Sequence, residues 1–200
     1  MSYSKNDISS ELWHAFKQGD VEAYRDLYQI HAGYLLNYGL RLHNVLNVVE
    51  DCVQEVFIDL WQYRKNLADP NDVRFYLMRS LRNRIGKHFR KNQPYISGFD
   101  DAIELPFLIE PSSEQRMIEL TIDEELRQRI QFAIKALTPR QKEIIYLRYF
   151  NDLSYEQICE LMNINYQSAR TQHYNALKVL RNELKNSNLI AFSIISLHFL

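Results

Sequence analysis

Apolar residues in the first half of the chain recur every three or four positions, the spacing that buries one face of an α-helix. Residues 47–65 show it most clearly, with apolar side chains at i, i+4, i+7, i+8 and i+11 and acidic residues elsewhere around the helix. That apolar face consists of Val49, Val53, Val56, Phe57 and Leu60. The pattern predicts an amphipathic helix packed on one side and polar on the other.

Two further helical stretches surround this segment. Before it, the apolar series is interrupted at Gly19-Asp20, which predicts a turn between two helices; its members are Leu12, Phe16, Ala23, Leu27 and Ile30. After it, NLADPND breaks the pattern, and a helix from about Val73 to Phe89 is predicted. Its inward residues are expected to be Leu77, Leu81, Ile85 and His88.

Residues 92–113 differ in character, since they contain three prolines and one glycine and lack helical periodicity. We expect an extended linker there. A helix is predicted to resume near Ser112, whose S-x-x-Q start to Gln115 resembles a capping box, and to run to Leu137. Thr138-Pro139 then supplies an N-cap and a proline at the first helical position.

The stretch SYEQICELMNINYQSARTQHYNALKVL predicts two helices joined by a short turn. Ser154 and Gln157 fit a capping box, Asn163 suits a left-handed turn residue, and Asn165 can cap the second helix. On that helix one inward stripe is predicted, with the small Ala169 permitting a close helix crossing: Ala169, His173, Ala176, Leu180 and Leu184. The outward set is Gln167, Ser168, Arg170, Thr171, Tyr174, Asn175 and Lys178.

These patterns predict an all-α fold of two small helical domains joined by a flexible acidic linker, the second domain a helix-turn-helix. We place the domains at residues 1–92 and 114–186, the linker at 93–113 and an apolar tail at 187–200. The 200 residues include only 5 Gly and 5 Pro, which favours helices. Cys52 and Cys159 lack the spacing of a disulfide or zinc site and fit a reducing cytoplasm. The N-terminus lacks the order of a signal peptide.

The net charge of −1 conceals a strong segregation of charge along the chain. Residues 71–92 carry seven Lys or Arg against one Asp, and residues 126–186 carry ten basic against five acidic side chains. Between them, residues 93–125 carry nine acidic side chains against one Arg. Two basic regions on either side of an acidic connector suggest two separate contacts with a polyanion.

The outward set of the last helix has the chemistry of base-edge and phosphate contacts. Ordinary exposed helix faces mix Glu with Lys, whereas residues 166–181 contain no acidic residue. DNA recognition and a plain helical hairpin with a polar face are the two interpretations. The six His show no metal-binding spacing and no Gly-rich phosphate loop is present, so we predict no cofactor, metal or catalytic site.

The segment LTPRQKEIIYLRYFNDLSYEQICELMNINYQSARTQHYNALKVLR resembles the promoter −35-binding domain of bacterial sigma factors of the extracytoplasmic-function (ECF) type. VVEDCVQEVFIDLW resembles that family's polymerase-binding helix, and FYLMRSLRNRIGKHFRK resembles its −10-binding helix. The three occur in the family's order. The resemblance implies a non-enzymatic, cytoplasmic subunit that binds RNA polymerase core and directs promoter recognition, −10 melting and transcription initiation.

The resemblance assigns three sets of site residues. The polymerase-binding residues would be Asp51, Gln54, Glu55 and Asp59. The −10 contacts would be Asn66, Asp69, Asn71, Arg74, Tyr76, Arg79, Arg82, Asn83, Lys87 and Arg90, with Phe75 as a further base-stacking candidate. The −35 contacts would be the outward set of the last helix, Gln167, Ser168, Arg170, Thr171, Tyr174, Asn175 and Lys178.

The implied partners are the β′ clamp and β flap of the polymerase core, promoter DNA, and an anti-sigma factor, often a membrane-bound one in this family. The chain departs from the family at Ala169, at His173, where Leu or Ile is common, and at Asn175, where Arg is common. A self-sufficient helix-turn-helix regulator and a helical interaction module remain rival functions. The apolar tail can pack on a domain, form an oligomer contact, make a regulatory contact or attach to a membrane surface.

Overall fold

The computed structural model describes residues 5–92, 105–108 and 124–184, and every regular element in these ranges is helical. The chain folds as two compact units, Met1–Asp100 and Asp101–Leu200. The predicted boundaries at residues 92, 113 and 186 remain predictions. The helix start predicted near Ser112, with its capping-box-like motif to Gln115, and the tail at 187–200 lie outside the described residues.

Within residues 5–92, the amino-terminal unit forms four α-helices. They are α1 Lys5–Lys17, α2 Val21–Leu42, α3 Leu46–Tyr63 and α4 Val73–Asn92, with a 3₁₀ turn at Arg64–Asn66 after α3. The predicted break before α2 is confirmed: Gly19 has a positive φ of 97°, and the Asp20 carboxylate accepts hydrogen bonds from the Glu22 and Ala23 amides. Helix α2 contacts α1, α3 and α4, so the core forms around it.

The core of this unit agrees with most of the predicted apolar positions. The five predicted residues of α3 are buried, and so are Leu77, Leu81 and Ile85 of α4, whereas His88 is half-buried. Ile30 is 46% exposed, which contradicts its predicted place on the buried face of α2. The buried face of α2 centres on His31, Leu35 and Tyr38, and at 100° per residue Ile30 lies on its edge.

His31 gives this core a titratable group. Its side chain is buried, and its Nε2 lies 3.2 Å from the Ser9 hydroxyl. Burial is the main cause that lowers the pKa of His31 from 6.5 to about 4, and the nearby Arg74 cation adds to it while Asp72 opposes it. The folded unit therefore holds His31 neutral over a pH range in which the unfolded chain protonates it.

We expect the free energy of unfolding of the amino-terminal unit to fall as the pH is lowered from 6.5 toward 4. The unfolded state takes up the proton first, so the contribution of neutral His31 is complete above pH 6.5 and decreases below it. Between pH 7.5 and 5 the loss should be about 1–2 kcal/mol. Urea unfolding followed by tryptophan fluorescence measures it, because Trp13 and Trp61 both lie in this unit.

The matched control is His31→Gln, which lacks the titration. The difference between wild type and variant isolates His31 from other histidines with lowered pKa, such as His43. An equal acid-induced loss in both proteins would show that His31 does not carry the effect.

The carboxyl-terminal unit forms four further helices within residues 124–184. They are α5 Glu124–Lys135, α6 Pro139–Tyr149, α7 Tyr155–Met162 and α8 Tyr166–Leu184. Helix α8 packs against α5, α6 and α7. The predicted N-cap of α6 is confirmed, since the Thr138 hydroxyl accepts from the Gln141 amide and Pro139 occupies the first helical position.

Residues 105–108 add a packed contact within the segment predicted as a linker. Leu105 and Phe107 are each 2% exposed, and the Phe107 ring lies 5.4 Å from the Tyr146 ring of α6. The sequence Leu-Pro-Phe-Leu is an apolar island in an acidic stretch, which accounts for its burial. The remaining linker residues lie outside the described part of the chain.

Candidate promoter-binding and polymerase-binding surfaces

The α7–α8 hairpin begins with a reciprocal capping box. The Ser154 hydroxyl accepts from the Gln157 amide at 3.2 Å, and the Gln157 side-chain oxygen accepts from the Ser154 amide at 2.9 Å. The predicted box is therefore confirmed. These two bonds satisfy amides that the first turn of a helix leaves without intrahelical partners, and they fix where α7 starts.

The turn between α7 and α8 is set by two asparagines. Asn163 adopts the left-handed conformation, with φ and ψ both 52°, as the sequence predicts. Asn165 caps α8, because its side-chain oxygen accepts from the Ser168 amide at 2.7 Å. Ala169 is fully buried, which is consistent with the predicted close crossing of α8. The hairpin therefore has helix-turn-helix geometry.

The predicted outward face of α8 is accessible. Six of its seven members are exposed, and Ser168, whose amide donates to the N-cap residue Asn165, is half-buried. The exposed members are Gln167, Arg170, Thr171, Tyr174, Asn175 and Lys178. The Arg170 guanidinium lies 6.0 Å from the centre of the Tyr166 ring. Donors, acceptors and positive charge are thus presented on one helix face without an acidic side chain, a combination suited to contact with base edges and phosphates in a major groove.

His173 lies on the inner side of the same helix. It is half-buried, and its ring nitrogens are within hydrogen-bonding distance of the Tyr155 and Tyr149 hydroxyls. Burial, followed by the nearby Arg148 cation, lowers the pKa of His173 below its usual 6.5. The interpretation of His173 as a packed residue agrees with this placement.

Helix α4 presents a basic and polar face to solvent. Arg79, Asn83, Lys87 and Arg90 lie at least partly accessible along it. Arg82 is buried at 7% exposure, so unlike Arg79 and Arg90 it is not accessible for the −10 contact that the resemblance assigns to it. On the helix, Arg82 lies next to the buried positions of Met78 and Ile85, which places its side chain toward the core.

Several −10 candidates in the loop before α4 and at the start of α4 already contact other residues of this unit. Asn66 and Asn71 are exposed, but the Asp69 carboxylate accepts a 2.7 Å hydrogen bond from Lys17, which lowers the pKa of Asp69. The Arg74 guanidinium lies 4.0 Å from the centre of the Tyr34 ring. The remaining candidate at the start of α4, Tyr76, packs edge-on against Trp13 at 5.3 Å.

A cavity of about 300 Å³ lies between α3, this loop and α4. Its lining brings aromatic, hydrogen-bonding and cationic groups together. The residues are Val56, Asp59, Leu60, Tyr63, Leu67, Tyr76, Ser80, Asn83, Arg84 and Lys87. Tyr63 and Ser80 line this cavity but are not among the −10 residues predicted from the sequence. The only sequence signal for Tyr63 is its place at the end of α3, next to the loop that holds several of the predicted residues.

The acidic face of α3 is partly neutralised within the chain. Asp51, Gln54 and Glu55 are exposed, and Asp59 is half-buried. Arg84 of α4 donates to Glu55 at 2.8 Å and also forms an ion pair with Asp59. Two of the four predicted polymerase-binding residues are therefore engaged by α4, and Asp51 and Gln54 lie on the same exposed side of α3.

Two classes of feature are absent from the described ranges 5–92, 105–108 and 124–184. No group of three or more His, Cys, Asp or Glu in them could bind a metal ion. No helix in the same ranges has the length and apolar character needed to cross a membrane.

Comparison with known families gives two matches in separate parts of the chain. Residues 27–95 match the model of Sigma-70 region 2, and residues 127–180 match the model of Sigma-70, region 4. The first contains α3 and α4 with most of α2, and the second contains α6, α7 and most of α8. The matches therefore contain all three proposed contact surfaces.

Curated relatives are sigma factors of different lengths. The chain is 25% identical to SigV of Bacillus subtilis over 165 residues, covering 82% of this chain and 88% of SigV. It is 23% identical to the ECF sigma factor SigW of the same organism over 178 residues, covering 85% and 93%. It is 28% identical to FliA of Yersinia enterocolitica over 139 residues, which covers 70% of this chain and about half (54%) of FliA.

Two solved structures have the same fold. The sigma factor RpoE of Bartonella quintana, crystallised with the anti-sigma factor NepR, superposes with a TM-score of 0.57 at 19% identity, covering 84% of this chain and 100% of RpoE. CnrH, in complex with the cytosolic domain of CnrY, gives 0.56 at 18% identity, covering 91% and 100%. With its region 2 and region 4 matches and its ECF relatives, this chain belongs to the sigma factors of bacterial RNA polymerase, in the extracytoplasmic-function subfamily.

Proposed function

We propose that this protein is a dissociable promoter-specificity subunit of bacterial RNA polymerase, which catalyses no reaction itself and acts in the cytoplasm. The observation that carries the proposal is the exposed, acid-free face of α8 in a capped helix-turn-helix, in one chain with the basic face of α4. Phosphate contacts from such faces supply affinity, and base-edge contacts supply specificity. Two separate faces are suited to two promoter elements, −35 for α8 and −10 for α4.

The −10 interaction is assigned to α4 and the cavity beside it. Arg79, Lys87 and Arg90 can contact phosphates, because each is cationic and accessible to solvent. The cavity is large enough for one nucleobase, and Tyr76 and Asn83 provide a ring and an amide for an unstacked base. Strand opening requires that unstacked bases be bound, because a base that leaves the duplex loses its stacking energy unless a protein ring replaces the lost contact.

The polymerase interaction is assigned to the acidic face of α3. Carboxylates on an exposed helix can form charge-assisted hydrogen bonds with arginines of a partner helix, as implied for the β′ clamp. Asp51 and Gln54 are the residues we expect to make the first such contacts, because Glu55 and Asp59 already bind Arg84. The carboxyl-terminal unit would contact the β flap.

A regulatory protein is a further expected partner. The structural neighbour RpoE is bound to the anti-sigma factor NepR, and the neighbour CnrH is bound to the cytosolic domain of CnrY. Because this chain shares their fold, these complexes support an anti-sigma factor as a partner here.

The test of function is reconstitution with core polymerase. Purified full-length protein should bind core enzyme and direct run-off transcription from a subset of genomic fragments. A self-sufficient helix-turn-helix regulator would bind duplex DNA without core enzyme, and an interaction module would bind neither. Failure both to bind core and to start transcription from any fragment would exclude the sigma-factor function.

We expect Asp51→Lys to lower the affinity for core polymerase about 5- to 50-fold, since it replaces an attractive charge by a repulsive one at the interface. Its stability should stay within about 0.5 kcal/mol of wild type, because Asp51 is exposed. Titration of core enzyme with fluorescently labelled protein measures the affinity, and urea unfolding measures the stability.

The matched control is Asp26→Lys, the same change at an exposed position of α2. Equal core affinities of the two variants would refute the assignment of α3. Glu55→Lys is a less suitable probe, because it also breaks the ion pair with Arg84 and so changes the packing of α3 on α4.

A further inference from the structure

His173 connects the recognition helix to both of the helices that precede it. It follows Ala169 and precedes Ala176 on the buried side of α8, yet both ring nitrogens have partners on other helices. Nδ1 lies 2.6 Å from the hydroxyl of Tyr155, the first residue of α7. Nε2 lies 3.2 Å from the hydroxyl of Tyr149, the last residue of α6. One imidazole therefore spans the α6–α7 turn.

The chemistry of this arrangement requires an imidazole or a similar polar group. A neutral imidazole has one donor and one acceptor, and a phenol hydroxyl can fill either role, so both bonds are satisfied in either tautomer. The half-buried site and the neighbouring Arg148 lower the pKa of His173 and so favour the neutral ring. Leucine would fill the space but would leave both hydroxyls without this partner.

A series of ring contacts leads from His173 to the exposed face of α8. The Tyr155 ring lies 5.8 Å from the His173 ring and 5.6 Å, edge-on, from the Tyr166 ring. The Arg170 guanidinium in turn lies 6.0 Å from the centre of the Tyr166 ring, within the range of a cation–π contact. The hydrogen bond between the Tyr155 hydroxyl and His173 therefore fixes the Tyr155 ring. The Tyr155 ring in turn packs against the Tyr166 ring, over which the Arg170 guanidinium lies.

We propose that His173 is a positioning residue for promoter recognition, which fixes Tyr155 and, through Tyr155 and Tyr166, holds Arg170 in the orientation that contacts DNA. This inference rests on the proposed function of α8 as the −35 recognition helix. Through these contacts, a residue that faces away from DNA would influence which sequence is bound. A purely packing role would let leucine replace His173 without any effect specific to Arg170.

The experiment is a double-mutant cycle in the full-length protein assembled with core polymerase. The variants are His173→Leu, Arg170→Ala and the two combined, with His173→Gln as a conservative replacement that retains a donor and an acceptor. The probes are the upstream duplex that wild-type holoenzyme selects from a randomised pool, and an unrelated duplex of the same length. The ratio of the two affinities reports specificity separately from folding.

We expect His173→Leu to lower the affinity for the selected duplex roughly 3- to 30-fold and to leave the unrelated duplex nearly unchanged. The double variant should bind the selected duplex no more weakly than Arg170→Ala alone, because the positioning has no further effect once Arg170 is absent. His173→Gln should restore most of the affinity. Tyr155→Phe, which removes the same hydrogen bond from its other end, should reproduce His173→Leu, whereas Tyr149→Phe should have a smaller effect.

The positioning role would be overturned if the affinity loss of the double variant equalled the product of the two single losses. A His173→Leu protein with wild-type specificity would overturn it as well. Tyr155→Phe keeps the test decisive if His173→Leu does not fold, since it retains the ring and its packing. If wild-type holoenzyme selects no duplex, the proposed function fails and this inference fails with it. Independent losses with a functional wild type overturn this inference alone.

Discussion

Replacing Gly39 by alanine is expected to destabilise the amino-terminal unit by about 1–3 kcal/mol. Gly39 lies in α2, where α3 and α4 approach the backbone closely. A Cβ at this position would overlap Val49 Cγ1 and lie 3.4 Å and 3.5 Å from methyl groups of Leu81 and Ile85. All three neighbours are buried, and the short branched Val49 cannot swing away as a long flexible side chain could. The helices must therefore separate.

The matched control is Gly33→Ala in the same helix. A Cβ at Gly33 would meet no atom within 4 Å, so only the helix propensity changes. Alanine is favoured over glycine in a helix by about 1 kcal/mol, and Gly33→Ala should stabilise the unit by about 0.5–1 kcal/mol. The same chemical change is thus expected to have opposite signs at two positions of one helix.

Urea unfolding of both variants measures the effect, with tryptophan fluorescence reporting this unit through Trp13 and Trp61. The slope of free energy against urea should be unchanged, because the surface exposed on unfolding is similar. A Gly39→Ala protein as stable as Gly33→Ala would mean that the three helices are less closely packed at Gly39 than the structure shows.

Features of the fold that depend on local sequence could be predicted. The starts of α6 and α7 follow from Thr138 and Ser154, because a capping side chain and the amides it satisfies are three residues apart. The left-handed Asn163 between α7 and α8 is local in the same sense. The buried face of α3 could be predicted because its apolar residues keep one helical period.

Features that depend on which side chains meet across helices could not be predicted. Nothing local to Glu55 and Asp59 indicates that Arg84, at least 25 residues further along the chain, engages them. The burial of Arg82 depends on how α4 is rotated against its neighbours. The contact of Asp69 with Lys17 likewise joins a loop to a helix 52 residues away. For the same reason, the residue types of the candidate site could be predicted from the sequence, but whether each side chain is accessible or engaged by another residue could not.

For the recognition helix, the largest expected effect on function is that of Arg170→Ala. A bidentate contact of Arg with a guanine edge contributes about 1–3 kcal/mol of discrimination, so the affinity for the selected −35 duplex should fall about 10- to 100-fold. Arg170 is exposed near the start of α8, the part of a recognition helix that contacts base edges. The preference at one base position should relax at the same time, which repeating the selection with Arg170→Ala holoenzyme would reveal.

Lys178→Ala is the matched comparison, since it removes one accessible cation from the same face about two turns further along α8. A phosphate contact there contributes affinity without sequence preference, so binding to selected and unrelated duplexes should weaken by the same factor, and the salt dependence should fall by about one phosphate. The two arms separate base recognition from charge. If Arg170→Ala also weakened both duplexes equally, Arg170 would be a phosphate contact, and the specificity of α8 would have to come from its amide and hydroxyl side chains, Gln167, Thr171 and Asn175.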